Sequence, residues 1–331
     1  MRCQNENWKR NLRGLYDETT IDHIDRAYCG GKNKGIYRTC KAIGGEIISA
    51  DSMQVYKGMD IGSAKIKKEE MEGVIHHLID VLSPEEEFHV VRFQQMAKQA
   101  MEEIYAKGKI PILVGGTGFY IQAVLYDIDF TENEGDESYR KELQNYADRY
   151  GAESLHNQLK ICDPKAAEEI HAHNIKRVIR ALEYYHQTGR LISEHNAEQR
   201  EKQSPYQWAY FVLNDERAHL YERINRRVDQ MITEGLETEV TALKEKGYTR
   251  SLVSMQGLGY KEILAYLDGE CTLQEAIDTI KRDTRHFAKR QITWFKRERD
   301  VIWLDKQAFK YDESAILDEM IRILKERNII H

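Results

Sequence analysis

The 331-residue sequence has no run of eighteen apolar residues, so it predicts no membrane span. Cysteine is scarce, five in all, and the spacing excludes a clustered metal site. Cys29 and Cys40 stand eleven apart, and Cys162 and Cys271 stand alone. Such cysteines read as reduced thiols of a cytoplasmic protein. The N-terminal segment lacks the apolar core of a secretion signal, and its acidic residues argue against a transit peptide. Internal repeats and low-complexity tracts are also missing. Net positive charge is lacking too: the formal charge is −6, which by itself argues against a nucleic-acid partner. The distribution of charge points the other way, because eight Lys/Arg face only two acids between Lys281 and Arg299. With 41% hydrophobic and 31% charged residues, the chain can build one large or two ordinary domains with a well-solvated surface.

What is present alternates strand and helix patterns. Glu46–Ala50 is a short apolar strand ending at Asp51, and Ile110–Val114 is a second, ending in Gly115-Gly116-Thr117-Gly118. The helical stretch 91–106 precedes the second strand, and this alternation predicts a parallel, doubly wound sheet. Ligands of such sheets sit beyond the carboxyl ends of the strands, where Asp51 and the glycine loop both fall. An acidic, polar stretch at Asp127–Gly151 marks a departure from the sheet. A helical pattern then runs to Gly189, with Asn174 as an N-cap and Gly189 as a terminator. Trp208–Leu213 reads as a return strand, a long helical region follows, and Val301–Leu304 reads as a last strand.

Three constellations carry chemistry. Asp51-Ser52-Met53-Gln54 places a carboxylate at the end of a buried strand, where it can be held rigidly as a general base. The purely structural alternative is a capping aspartate. Gly115, Gly116 and Thr117 offer backbone N–H groups and a hydroxyl to anionic oxygens, although a tight strand-to-helix turn would look the same. Thr272-Leu273-Gln274-Glu275 is a capping box opening a helix. Leu273, Ile277, Ile280, Phe287 and Trp294 form its apolar stripe, and Arg282, Arg285, Lys289 and Lys296 cluster on the opposite side. A basic stripe on an anchored helix suits a phosphodiester backbone, and the near absence of compensating acids favours RNA over a merely solvated face.

One motif is missing where the pattern calls for it. Asp17–Cys40 contains no Gly-x-x-x-x-Gly-Lys-Ser/Thr ahead of the Asp51 strand. Read across codon boundaries, taking the last two bases of one codon and the first of the next, the junctions from Arg26 to Lys34 permit Gly-Pro-Thr-Ala-Val-Gly-Lys-Thr. The junctions from Ile21 to Arg26 permit Leu-Ile-Ile-Leu-Thr, a buried parallel strand. Those from Ile36 to Lys41 permit Ser-Ile-Ala-Leu-Ala, the start of a helix. Strand, glycine loop and helix is the context of a phosphate-binding loop, so Met1–Cys40 reads as that loop in a shifted frame. The same segment holds three of the five cysteines and shows no hydrophobic period.

The ordered motifs resemble those of the tRNA dimethylallyltransferases, or tRNA isopentenyltransferases. The matching pieces are ADSMQVYKGMDIGSAK at Ala50–Lys65, HHLID at His76–Asp80, LVGGTGFY at Leu113–Tyr120, KRVIRALE at Lys176–Glu183, GLGYKE at Gly257–Glu262 and TRHFAKRQITWFKR at Thr284–Arg297. The resemblance implies an α/β fold, a phosphate-loop NTPase-like parallel sheet core with a helical insertion domain that grips the anticodon arm of tRNA. It implies an aberrant segment 1–40, core segments 41–130 and 201–331, and an insertion at 131–200. It also implies transfer of a dimethylallyl group from its diphosphate to N6 of adenosine 37, with Mg2+, and the chain is expected to act as a monomer. Asp51 matches the base, and Thr117 and Arg140 match positions near the reacting centre. Gly115, Gly116 and Thr117 match diphosphate contacts. Ser52, Met53, Gln54, Lys176, Arg177, Arg180, Gly259, Tyr260, Lys261, Arg285, Lys289, Arg290, Gln291, Trp294 and Lys296 match tRNA-contacting positions. HAHNIKR at His171–Arg177 departs from the family by lacking its usual proline and glutamine.

In this fold the phosphate-loop strand is central and the diphosphate sits at the following helix N-terminus. The chain as written is expected to supply neither, leaving Met1–Cys40 without definite structure or lying over the site with no phosphate cradle, and the polypeptide with little or no activity. Two other functions fit part of the pattern. A small-molecule kinase would explain the loop, Asp51 and the glycine turn, but not the helical insert or the basic stripe. A catalytically dead tRNA-binding relic would fit the sequence as it stands.

Overall fold

The computed structural model describes residues 19–24, 34–130 and 137–330. In chain order the elements are β1 (Thr19–Ile24), α1 (Lys34–Ala42), β2 (Gly45–Ser49), β3 (His76–His77), α2 (Val90–Ala106), β4 (Ile110–Val114) and α3 (Gly118–Leu125). There follow α4 (Glu137–Tyr150), α5 (Ala152–Cys162), α6 (Pro164–Glu169), α7 (Ile175–Thr188), α8 (Ile192–Glu201) and β5 (Gln207–Asn214). The last are α9 (Arg217–Glu234), α10 (Leu236–Glu245), α11 (Tyr260–Leu267), α12 (Leu273–Phe295), β6 (Val301–Asp305) and α13 (Glu313–Glu326).

The described strands form one sheet in the order β3-β2-β4-β1-β5-β6, and every pairing is parallel. Parallel strands need crossovers, and helices on the sheet faces turn the strands into apolar runs. Ile47, Ile48, Ile112, Leu113, Tyr210 and Phe211 are accordingly all buried. On one face Ile47, Ile112 and Phe211 pack with Tyr37 and Cys40 of α1 and with Ile316, Met320 and Leu324 of α13.

The N-terminal segment departs from expectation. Thr19–Ile24 is a strand, it pairs with β4 on one side and β5 on the other, and it is followed by helix α1. The central strand is therefore supplied by the chain as written. The reason is backbone chemistry: β4 and β5 would otherwise each present a row of unpaired N–H and C=O groups. A segment rich in Thr and Ile is competent to fill the gap. Residues 25–33, where the shifted frame places most of its glycine loop, lie outside the described residues.

The chain divides into two compact units, Tyr126–Ser204 and the remainder. The smaller unit is helical, α4 to α8, around Leu143, Leu155, Leu159, Val178, Ile179 and Leu182. Its longest apolar face lies on α7, which ends at Gly189 in the left-handed region, φ 67°. That conformation suits glycine at a helix end. Asn174 does stand at the N-cap, but its backbone carbonyl does the work: it accepts from Arg177 N at 2.9 Å and Val178 N at 3.1 Å, with no side-chain bond.

Candidate active site

Strand β2 delivers Asp51 to the carboxyl edge of the sheet. Ala50 N donates to Val114 O at 2.9 Å, locking the exits of β2 and β4 together. One oxygen of Asp51, Oδ1, accepts from Met53 N at 2.8 Å and Gln54 N at 3.3 Å. The capping role is thus real, yet a carboxylate has two oxygens and about four acceptor sites. Asp51 itself is half-buried. Within electrostatic reach of it, Tyr120 stacks on Phe93, centroids 4.5 Å apart, and donates to Phe88 O at 3.2 Å. Burial, then Tyr56 and the Asp51 carboxylate, push the Tyr120 phenol above its ordinary range.

The glycine loop at the end of β4 touches the same spot. A Cβ on Gly115 would lie 2.3 Å from the Ala50 carbonyl, so only glycine lets the two backbones meet. Thr117 N donates to Ala50 O at 3.3 Å, and Thr117 O opens α3 by accepting from Tyr120 N at 2.8 Å. Helix α12 seals the loop from the other side. Gln291 Nε2 donates to Gly116 O at 2.6 Å, and a Cβ on Gly118 would lie 2.3 Å from the Trp294 ring.

The inward face of α12 consists of Ala276, Ile280, Thr284, Ala288, Gln291 and Phe295. The expected stripe had the right side of the helix but emphasised the wrong members: Leu273, Ile277, Phe287 and Trp294 are only half-buried. Ala276, Thr284 and Ala288 let the helix approach closely, so Leu273, Ile277, Phe287 and Trp294 flank the contact while Ile280 and Phe295 fill it. The basic stripe divides. Arg282 pairs with Asp283 at 2.9 Å, and Arg285 donates to Asn225 Oδ1 at 2.6 Å. Lys289, Arg290, Lys296 and Arg297 are exposed and carry no ion pair among the described residues. Burial pushes the Glu298 carboxyl up to about 7, against the pull of Arg299. A cleft of about 470 Å³ runs along it, lined by His286, Lys289, Arg290, Thr293, Trp294 and Arg297.

Several residues matched to tRNA contacts also brace the protein internally. Gln54 is buried and donates to Ser63 O at 3.3 Å and Ala64 O at 3.4 Å. Tyr260 is buried with its hydroxyl on Glu239 at 2.7 Å, and Gln291 is buried on Gly116. Gly259, φ 92°, caps α11 by donating to Glu262 Oε2 at 2.8 Å. Polar side chains next to loops look exposed in a sequence, but Gln54 and Gln291 satisfy backbone carbonyls that the loops would otherwise bury. Ser52 and Met53 are half-buried, and Met53 packs on Gly257. Lys261 remains at the surface, 3.5 Å from Glu262.

In the helical unit, Lys176 and Arg177 are exposed on α7. Arg140 binds both oxygens of fully buried Glu183, at 2.8 and 3.1 Å, and Arg180 adds a third bond at 3.3 Å. Sequence reasoning missed Glu183 as the partner, and it missed Lys65 and Glu239 in the α/β unit. Lys65 is buried, bonding Tyr56 O at 2.6 Å, Asp60 at 2.6 Å and Asp80 at 2.5 Å. A lysine forced inside with an acid five residues before it was the available signal.

A carboxylate and a glycine turn sharing one sheet edge, with a helix that carries exposed basic residues packed on the turn, define a group-transfer site on a phosphate-loop-like core. The model of the IPP transferase family matches residues 54–298. The tRNA dimethylallyltransferase of Lachnoclostridium phytofermentans is 64% identical over 300 residues, covering 91% of this chain and 96% of that protein. The tRNA dimethylallyltransferase of Acetivibrio thermocellus is 50% identical over 286 residues, covering 86% and 91%. Among solved structures, the tRNA isopentenylpyrophosphate transferase of Bacillus halodurans aligns with TM-score 0.69 and 44% identity, covering 95% of this chain and 98% of that one. A eukaryotic dimethylallyltransferase acting on tRNA aligns with TM-score 0.75 and 29% identity, covering 87% and 74%. The chain belongs to the IPP transferase family, the tRNA dimethylallyltransferases.

Proposed function

We propose that this chain's site is built to transfer a dimethylallyl group from dimethylallyl diphosphate to N6 of adenosine 37 in tRNA anticodon arms, giving N6-isopentenyladenosine. The observation that carries the reading is the junction at Ala50, where Asp51 and the Gly115–Thr117 turn meet backbone to backbone. An exocyclic adenine amine is a poor nucleophile. As its nitrogen bonds to the allylic carbon, the carbon–oxygen bond to diphosphate breaks, and Asp51 accepts the amine proton. The amide groups of Gly115 and Gly116 and the Thr117 hydroxyl face the charge that gathers on the departing diphosphate. An anticodon-loop base can be turned out into such a pocket.

Mg2+ fits sparingly. Among the described residues no group of three or more His, Cys, Asp or Glu side chains is placed to hold a metal. Mg2+ in phosphate chemistry takes one or two protein oxygens and completes its shell with phosphates and water. The Thr117 hydroxyl would supply a protein oxygen, and the ion would offset charge on the diphosphate. Lys261, Lys289, Arg290 and Lys296 in the α/β unit, and Lys176 and Arg177 in the helical unit, are assigned to the RNA backbone. We place the protein in the cytoplasm as a monomer. Free thiols at Cys40, Cys162 and Cys271 support the locale.

The chain as written has no Gly-x-x-x-x-Gly-Lys-Ser/Thr, so we further propose that it transfers little or no prenyl group. That observation favours a second reading for this polypeptide, a tRNA binder without turnover. Expression beside a version with the shifted-frame loop restored, assayed on a tRNA anticodon stem-loop, tests both. The restored chain should transfer and the written chain should only bind; equal rates would overturn the impairment. Sequencing the DNA for Met1–Cys40 tests the frame itself, and one clean frame without a nearby indel would remove it.

A further inference from the structure

The loop that carries Asp51 runs to Lys65 without helix or strand of its own. Its backbone amides at Asp60, Ile61 and Gly62 need acceptors from elsewhere, and one side chain serves all three. Glu239, on α10, accepts from Asp60 N at 3.0 Å and Ile61 N at 2.7 Å with Oε2, and from Gly62 N at 3.1 Å with Oε1. The same Oε1 accepts the Tyr260 hydroxyl at 2.7 Å. Three successive amides converging on an anion form a nest, filled here by the protein's own carboxylate. Gly62 makes room for it, since a Cβ there would fall 2.6 Å from the Tyr260 ring. From this nest the ties run on without a break. Lys65 bonds Asp60, Ser63 Oγ donates to Met59 O at 2.6 Å, and Gln54 holds Ser63 and Ala64. Gln54 N is in turn bonded to Asp51.

We propose that Glu239 is a positioning residue that, with Tyr260, sets the Asp51 loop in its working geometry. This rests on the reading of Asp51 as the base. A glutamine at 239 keeps one acceptor oxygen and gains two donors, so at least one of the three amides would face a donor. A base displaced by about 1 Å loses on the order of a hundredfold in rate.

Hydrogen exchange on the full chain, comparing the parent with Glu239→Gln and Tyr260→Phe, tests the clamp. Glu239→Gln should speed exchange at Asp60, Ile61 and Gly62 at least about tenfold, with the change spreading to Met53 and Gln54 and sparing α10 and α11. Tyr260→Phe should do the same to a smaller degree. Unchanged exchange at 60–62, or a uniform rise across the unit, would overturn the proposal. Transfer is measured with the phosphate loop restored. Glu239→Gln should lower kcat roughly 10- to 100-fold while KM for the stem-loop stays within about twofold of the parent; an unchanged kcat overturns the catalytic purpose. If the restored parent transfers nothing, the reading of Asp51 fails and takes that purpose with it, while the exchange data still decide whether Glu239 holds the loop.

Discussion

At the scale of single residues, buried ionisable groups make the firmest predictions. Glu46 is 1% exposed on β2 and bonds His77 at 2.8 Å, Lys109 at 2.9 Å and Lys107 at 3.0 Å. Burial alone would push its carboxyl up, but the bonds from Lys109, His77 and Lys107 outweigh it and bring the pKa down to about 2. A depressed carboxylate stabilises the fold above its unfolded value, about 4.3. That contribution, on the order of 3 kcal/mol, is lost as pH falls from there towards about 2. Glu46→Gln should flatten this part of a pH–stability curve measured by denaturant unfolding; an unchanged acid limb would count against the network. Cys40 is the converse case: burial, with Glu46 adding to it, pushes its thiol up to about 12. Peptide mapping after alkylation of the native protein should find Cys40 unmodified while half-buried Cys162 and Cys271 react. The places of Asp51 and Thr117 at strand ends, and of Lys289 on an exposed helix face, could be read from sequence because each follows from local pattern. The burial of Gln54, Tyr260 and Gln291 could not, since their partners are backbone carbonyls and a carboxylate far along the chain.

At the scale of elements, the central packing is that of α12 on the glycine turn. Gly115→Ala would drive a Cβ into the Ala50 backbone, which cannot yield as a side chain can. It should cost about 1–3 kcal/mol of stability and abolish transfer in the loop-restored chain; near-parental values of both would show that the turn tolerates separation from β2. The same helix predicts how RNA binding divides. Replacing Lys289, Arg290 and Lys296 together with glutamine should weaken anticodon-arm binding and make the plot of log affinity against log salt shallower, by roughly 0.7–0.9 for each phosphate no longer neutralised. Replacing Arg282, already paired with Asp283, should change that slope little. Strand ends, the capping box at Thr272 and the glycine stop at Gly189 were legible because each is a local signal. The division of the basic stripe depends on Asn225 and Asp283, of which only Asp283 lies on the same helix.

For the whole molecule, the alternation of strand and helix was enough to foresee a parallel sheet, and the motif order was enough to place the chain in its family. The central strand was not foreseen. Thr19–Ile24 has no clear apolar run, yet two neighbouring strands accept it. A sheet can thus be completed by backbone alone where a phosphate site cannot, because phosphate binding needs particular glycines, a lysine and a hydroxyl. The account accordingly predicts a folded protein that lacks one half of its chemistry. Its central claim is that Asp51 takes the proton from the base amine. With the phosphate loop restored, the direct measurement is single-turnover prenylation of an anticodon stem-loop by the parent and by Asp51→Ala, at matched RNA occupancy. The rate should fall by a factor of ~10² to 10⁴, the usual reach of a general base, with RNA affinity kept. Modified RNA accumulating at the parental rate would contradict it.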